Sequence, residues 1–225
     1  MPVGKNWKIA LTDIDIYSAK FSDYMDQQDE LYEQLLDSEK ARADRYKVEK
    51  ARYQYIISHG LMNKLFLSLG ESLNFEFNQW KKPFLKESKR QFNLSHSKDY
   101  MLLAISDLIV GVDIEFKKET RNFEGLSRQF MHNDEITEFN ALKGDEQMNY
   151  FFKRWSQKEA LIKAIGQGMS YPVKSINLSQ DRDKQLISLN DQKYHLSEII
   201  IASNYSSWLS YLEWDDMKIN HRTFT

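Results

Sequence analysis

Gly111-Val112-Asp113-Ile114-Glu115 alternates apolar and acidic residues. That is the period of a strand with one buried face, so Asp113 and Glu115 point to one side and Val112 and Ile114 to the other. Further along, the run Trp155-Ser156-Gln157-Lys158-Glu159-Ala160-Leu161-Ile162-Lys163 places Trp155, Glu159 and Lys163 at i, i+4 and i+8. On a helix these three share one stripe. A strand with two carboxylates and a helix with a third plus an ammonium can converge on one site, and such a set suits Mg²⁺ and a phosphate.

Around these segments strand and helix patterns alternate in blocks. Trp7–Tyr17 reads as an opening strand, and Asp23–Leu67 as two charged helices parted near Ser38-Glu39-Lys40. Phe75–Phe77 is a short strand, and Pro83 keeps Trp80–Phe84 extended or turning. Gln91–Ser95 and Tyr100–Ser106 are strands joined by a turn at His96–Asp99, before the Ile109–Phe116 strand. Helices are expected over Asn122–Leu142 and Glu146–Ile165, the second ended by Gly166 and Gly168. Strand-like runs follow at Ser175–Ser179, Gln185–Leu189, Tyr194–Ala202 and Trp208–Trp214. The fold class expected is α+β with antiparallel sheets, cut into two comparable halves near residues 107–110.

Composition narrows the chemistry. With 225 residues, 41% of them hydrophobic, the chain can bury a substantial core. A net charge of −2 argues against a general nucleic-acid binder. The absence of cysteine excludes thiol catalysis, disulfides and thiolate metal sites. No apolar run is long enough for a membrane span, and Met1–Leu11 lacks a signal-peptide core, so cytoplasmic residence is expected.

Three oxygen ligands without a histidine pair favour a hard cation, Mg²⁺ or Mn²⁺, over Zn²⁺. Taken singly, each signal has a plainer explanation. Asp113 and Glu115 suit the solvent face of a strand, Glu159–Lys163 a surface ion pair, Trp155 a core anchor, and His96 a turn residue. Their order along the chain is more telling. Lys82-Pro83, then Phe92-Asn93-Leu94-Ser95-His96-Ser97, then Gly111–Glu115, then Trp155–Lys163 resembles the ordered motifs of the Sfp-type 4′-phosphopantetheinyl transferases. Arg128-Gln129-Phe130-Met131 with Glu135 is similar to a further family segment, as is Gly166-Gln167-Gly168-Met169-Ser170-Tyr171-Pro172. The resemblance spans about residues 35 to 180.

That resemblance implies two similar α+β halves related by a pseudo-two-fold, each a small antiparallel sheet packed with helices. Residues 1–108 would form the coenzyme A side and residues 109–225 the metal and catalytic side. It implies transfer of the 4′-phosphopantetheine group from coenzyme A to a serine of an apo acyl or peptidyl carrier protein, with release of 3′,5′-ADP. Asp113, Glu115 and Glu159 would hold Mg²⁺, with Mn²⁺ as a substitute. Glu159 would also be the base, and Lys163 would contact the pyrophosphate. Ser95 and His96 would meet coenzyme A phosphates, and Lys82 would approach the nucleotide end. The family's arginines for the coenzyme A 3′-phosphate fall here on Gln54 and Asn63, leaving Arg52, or else Arg42 or Arg45, for that role. A monomer is expected, because the pseudo-dimer lies within one chain. Phe123, Met131, Met148, Phe152, Lys153 and Lys117 are candidates for the rim that receives an acidic carrier. The competing reading is a Mg²⁺-dependent phosphohydrolase built on the same carboxylates, which would need neither Ser95-His96-Ser97 nor Lys82-Pro83.

Overall fold

The computed structural model describes residues 13–118, 123–179, 186–214 and 217–224. The opening strand, β1, spans Ile14–Lys20, and the earlier part of the expected Trp7–Tyr17 run lies outside the described residues. A 3₁₀ segment, Phe21–Gln27, leads into α1 (Gln28–Glu33), α2 (Asp37–Ala43) and α3 (Glu49–Ser68). Ser38-Glu39-Lys40 therefore sits inside a helix and is not a break. Glu39 is the reason: its carboxylate accepts from the Leu36 backbone N–H at 3.0 Å, which starts α2 three residues earlier. The hairpin β2 (Phe75–Phe77) and β3 (Pro83–Leu85) follows, then β4 (Gln91–Ser97) and β5 (Tyr100–Ser106).

The second half opens with β6 (Val110–Phe116). The expected helix over Asn122–Leu142 is two helices, α4 (Phe123–Phe130) and α5 (Asn133–Ala141), with Asn122 outside the described residues. His132 parts them, since its ring caps α5 by accepting from the Asp134 N–H at 3.2 Å. The long helix α6 runs Gly144–Ile165, and Gly166 ends it in the left-handed conformation at φ 79°. Ser175–Ser179 forms no strand; a 3₁₀ turn, Val173–Ser175, stands at its start. Strands β7 (Leu186–Leu189), β8 (Gln192–Glu198), β9 (Tyr205–Leu212) and β10 (Ile219–Thr223) complete the described chain.

Two four-stranded sheets result, ordered β10-β1-β5-β4 and β6-β9-β8-β7. All pairings within them are antiparallel except β1 with β10. That exception corrects the expected division of the chain. Residues 219–223 return to the first half's sheet, so the cut at 108/109 does not hold for the final strand. One core, containing Ile14, Ile16, Leu102 and Ala104 with Val112, Ile114 and Leu209, is shared by both sheets.

Side chains also join the sheet edges. Asn93, Ser95 and Ser97 lie on one face of β4 by strand alternation and meet β6. Asn93 Oδ1 accepts from the Val112 N–H at 2.8 Å, and Ser97 Oγ from the Phe116 N–H at 3.0 Å. Under the second sheet, α4, α5 and α6 are locked by a fully buried pair, Lys158 with Glu135 at 2.6 Å. Glu135 also accepts from the His132 and Leu178 N–H groups, and Lys158 donates to the Phe130 carbonyl, so the pair's remaining capacity is used.

Candidate active site

β6 and α6 approach so closely that only glycine fits at position 111. A Cβ there would stand 2.2 Å from the Ala160 carbonyl oxygen and 2.3 Å from the Ala164 nitrogen. This contact brings the acidic strand onto the Glu159–Lys163 stripe. Lys163 Nζ donates to Asp113 Oδ1 at 2.6 Å and to Ser95 Oγ at 3.0 Å, while Ser95 Oγ donates to the same Asp113 oxygen at 3.0 Å. Ser95, Asp113 and Lys163, expected from three separate motifs, are thereby gathered from β4, β6 and α6, with Glu159 one turn before Lys163 on α6.

Glu115 is held from two sides. The Trp155 indole N–H donates to Oε1 at 3.0 Å and Ser97 Oγ to Oε2 at 3.4 Å. Trp155 is at once an aromatic anchor, edge-on to Phe130, and a donor to the site. Burial first, then the Asp113 charge, push the Glu115 carboxyl up to about 7, against the hydrogen bond from Trp155. Burial and then the Asp113 charge also raise the Glu159 carboxyl, with Lys163 opposing. Three carboxylates thus share one desolvated region with a single ammonium among them.

Among the described residues no three His, Asp or Glu side chains stand in a ready-made coordination cluster. The donor set nonetheless fits a hard cation. Asp113 is only 3% exposed, and its Oδ2 is buried without a hydrogen-bond partner, an arrangement that costs free energy unless something binds there. Mg²⁺ needs one or two protein carboxylates and takes its remaining oxygens from water and phosphate.

Other expected residues fall differently. His96 and Ser97 are the last residues of β4, not a turn, because the Gln91↔Ser106 to Ser97↔Tyr100 pairing continues through them. The His96 ring stands edge-on to Phe21, and its pKa is lowered by the surrounding protein and then by His59 and Lys163. Lys82 is half-buried between the halves, donating to the Val110 and Ala164 carbonyls at 3.2 Å each. Burial lowers its pKa to about 8. Arg52 is paired with Asp44 at 3.2 Å and lies over the Tyr32 ring, so its guanidinium is engaged elsewhere. Gln54 donates to the Lys98 carbonyl, and buried Asn63 donates to Glu39 and the Gln34 carbonyl. Met131 and Phe152 are buried in the aromatic cluster of α4–α6, which removes them from the expected carrier rim. Lys153 is exposed beside Trp208, and Lys117 donates to Asn149.

A cleft of about 650 Å³ opens beside this cluster, between α2, α3, the β2–β3 hairpin and β4, lined in part by Arg42, Tyr55, His59, Phe77, Lys81 and Asn93. Its one carboxylate, Glu39, is consumed by His59 Nδ1 at 2.8 Å, Asn63 at 2.6 Å and the Leu36 N–H. Arg42 lies over the Tyr55 ring, and neither Arg42 nor Lys81 has an ion-pair partner among the described residues. Local sequence gives one signal for this site, the aromatic and basic residues around Phe75–Lys82, and none that joins them to Arg42 and His59.

A sequence profile of the 4′-phosphopantetheinyl transferase superfamily matches residues 109–211, the stretch that carries Asp113, Glu115, Glu159 and Lys163. Over that stretch the chain is similar to the superfamily. It is similar to the 4′-phosphopantetheinyl transferase Gsp of Aneurinibacillus migulanus, 31% identical over 153 residues, covering 66% of this chain and 63% of Gsp. The 4′-phosphopantetheinyl transferase HetI of Nostoc is 26% identical over 179 residues, 76% of each chain. The 4′-phosphopantetheinyl transferase Sfp of Bacillus subtilis is 31% identical over 115 residues, 51% of this chain and 50% of Sfp. The chain spans 63%, 60% and 56% of the Aneurinibacillus, Synechocystis and Bacillus pumilus transferases. The superfamily profile takes in all of β6, α4, α5 and α6, whereas the cleft's α2, α3 and hairpin lie before it.

Proposed function

We propose that this chain transfers the 4′-phosphopantetheine group of coenzyme A to a serine of an apo acyl or peptidyl carrier protein, releasing 3′,5′-ADP. The observation that carries this is the joining of Ser95, Asp113 and Lys163 beside Glu115 and Glu159, in a chain whose residues 109–211 match the transferase superfamily. The relatives named above are transferases, and no observation favours the phosphohydrolase reading.

In the reaction the carrier's serine oxygen attacks the phosphorus that bears pantetheine. A phosphorus–oxygen bond forms to serine, and the bond to the bridging oxygen breaks, its electron pair leaving with 3′,5′-ADP. The serine proton passes to Glu159, a carboxylate made more basic by burial. Asp113, Glu115 and Glu159 would hold Mg²⁺, or Mn²⁺, which when bound neutralises charge on the diphosphate. Lys163, reaching Asp113 and Ser95, stabilises the charge that builds on the leaving phosphate. Ser95 and His96 flank the diphosphate from β4.

The nucleotide end of coenzyme A enters the cleft, where Arg42 and Lys81 offer unpaired positive charge and Tyr55 and Phe77 offer rings. Asn93 of the cleft and Ser95 of the cluster share a face of β4, about 6–7 Å apart, within the span of one nucleotide. Among the described residues no helix is long and apolar enough to cross a membrane, and the cytoplasm, where coenzyme A and carriers meet, is the site of action proposed. The core shared by both sheets supports action as a monomer with two halves.

The test is the intact mass of an apo acyl carrier protein and an apo peptidyl carrier protein after incubation with this chain, coenzyme A and Mg²⁺. A gain of one phosphopantetheine, abolished by EDTA, is expected. No gain on either carrier together with no coenzyme A binding would overturn the reading.

A further inference from the structure

The β2–β3 hairpin touches both sites, and its loop is built to do so. Asn78 Nδ2 donates to the Gly166 carbonyl at 2.9 Å, while Asn78 Oδ1 accepts from the Trp80 and Lys82 N–H groups at 2.9 Å each. Asn78 thus folds the loop and fastens it to the end of α6. The same loop delivers Lys82, whose ammonium bonds the Ala164 carbonyl at the end of α6 and the Val110 carbonyl at the start of β6. The last carbonyls of a helix have no intrahelical donor, and a cation there also opposes the negative end of the helix dipole. Gly166 packs against the Lys82 stem, where a Cβ would meet Lys82 Cδ at 3.0 Å.

One ammonium therefore spans the two elements that carry the chemistry. Ala164 follows Lys163 directly, and Val110 begins the strand that bears Asp113 and Glu115. The 2.6 Å Lys163–Asp113 contact depends on the spacing of these two backbones, which Gly111 allows and Lys82 closes. Meanwhile Phe75, Phe77, Lys81 and Pro83 of the same hairpin line the cleft, whereas Lys82 does not.

We propose that Lys82, seated by Asn78, is a positioning residue that fixes the spacing of β6 and α6 for Lys163 and Asp113, not a ligand for coenzyme A. The proposal rests on the transferase reading for its catalytic consequence and on geometry alone for its structural one. Lys82→Met keeps the apolar stem and removes the donor. Because misplacement by about 1 Å costs on the order of 10²-fold in rate, kcat for carrier modification falls about 10–100-fold while KM for coenzyme A stays within about threefold. Asn78→Asp, which keeps the Oδ1 acceptor but loses the donor to Gly166, shows the same split to a smaller degree.

A raised KM with unchanged kcat in Lys82→Met would overturn the proposal and make Lys82 a coenzyme A ligand. A second readout is independent of turnover. Lysines are reductively ¹³C-methylated under conditions that preserve the fold, and the Lys163 resonance is assigned through Lys163→Arg. Lys82→Met is expected to move that resonance in the folded protein, and an unmoved resonance would overturn the proposal. A moved resonance in a protein that modifies no carrier would uphold the positioning role and remove the transferase reading.

Discussion

The cluster on β6 and α6 and the cleft on the first half are both polar, but they are held in opposite ways. In the cluster four groups are anchored by bonds to other side chains: Lys163 to Asp113 and Ser95, Glu115 to Trp155 and Ser97. Among the described residues the cleft's only carboxylate is tied to His59 and Asn63, and Arg42 and Lys81 are left without acidic partners. A preorganised cluster acts on developing charge, whereas unpaired cations around a roomy pocket act on a ligand's standing charge. Turnover should therefore be lost through the cluster and affinity through the cleft.

The hardest blow to that contrast is Glu159→Gln. It removes a base and a ligand charge at constant volume, so transfer by intact mass should fall about 10²–10⁴-fold, with coenzyme A affinity and unfolding midpoint little changed. Wild-type turnover in this variant would remove Glu159 from the chemistry. Lys158→Met should destabilise by about 3–5 kcal/mol in urea unfolding, because it leaves Glu135 charged and buried without its partner. Adding Glu135→Gln, which removes the charge and keeps an acceptor for the His132 and Leu178 N–H groups, should recover most of that loss; if it does not, the buried charge is not its cause.

On the cleft side, Arg42→Ala should raise KM for coenzyme A about tenfold, in line with ~1.5–3 kcal/mol for a hydrogen bond to a charged group, and leave kcat nearly intact. A fall in kcat alone would break the division of labour. Lys81→Gly sharpens it further, because Lys81 is held at φ 69°. Removing its side chain should weaken coenzyme A binding yet stabilise the fold by about 1 kcal/mol, since left-handed backbone is unfavourable for a residue with a Cβ.

The smallest effect is in pH. Burial depresses the Lys82 pKa to about 8, below the ~10.4 of an unfolded lysine. Between these values the unfolded chain binds more protons, so this group's contribution to stability rises with pH across that window. Urea unfolding of wild type and Lys82→Met at pH 7 and pH 9.5 should show wild type gaining stability relative to the variant at the higher pH. An unchanged difference between them would mean that Lys82 is not desolvated.

How far the sequence could be read follows from how local each feature is. Alternation placed β6 and its two acidic residues, and the 3.6-residue repeat placed α6 with Trp155, Glu159 and Lys163 on one stripe. Capping departs from hydrophobic periodicity at two places. Glu39 moved a helix start to Asp37, and His132 split a helical run in two, because each side chain bonds a backbone group that hydrophobic periodicity does not register. The short polar residues around His96 suit a turn, yet strand pairing with β5 carries the strand through it.

Sequence by itself determined which segments are helix and strand near the site, and which residue types could bind a metal and a phosphate, since both follow from neighbours a few positions apart. Tertiary structure alone decided which charges are free. Arg52 is spent on Asp44, Lys82 is sunk between the halves, Arg42 and Lys81 face a common cleft, and Ile219–Thr223 crosses back to β1. Ion pairing, desolvation and strand partnership are settled between residues far apart in the chain, and no local period records them.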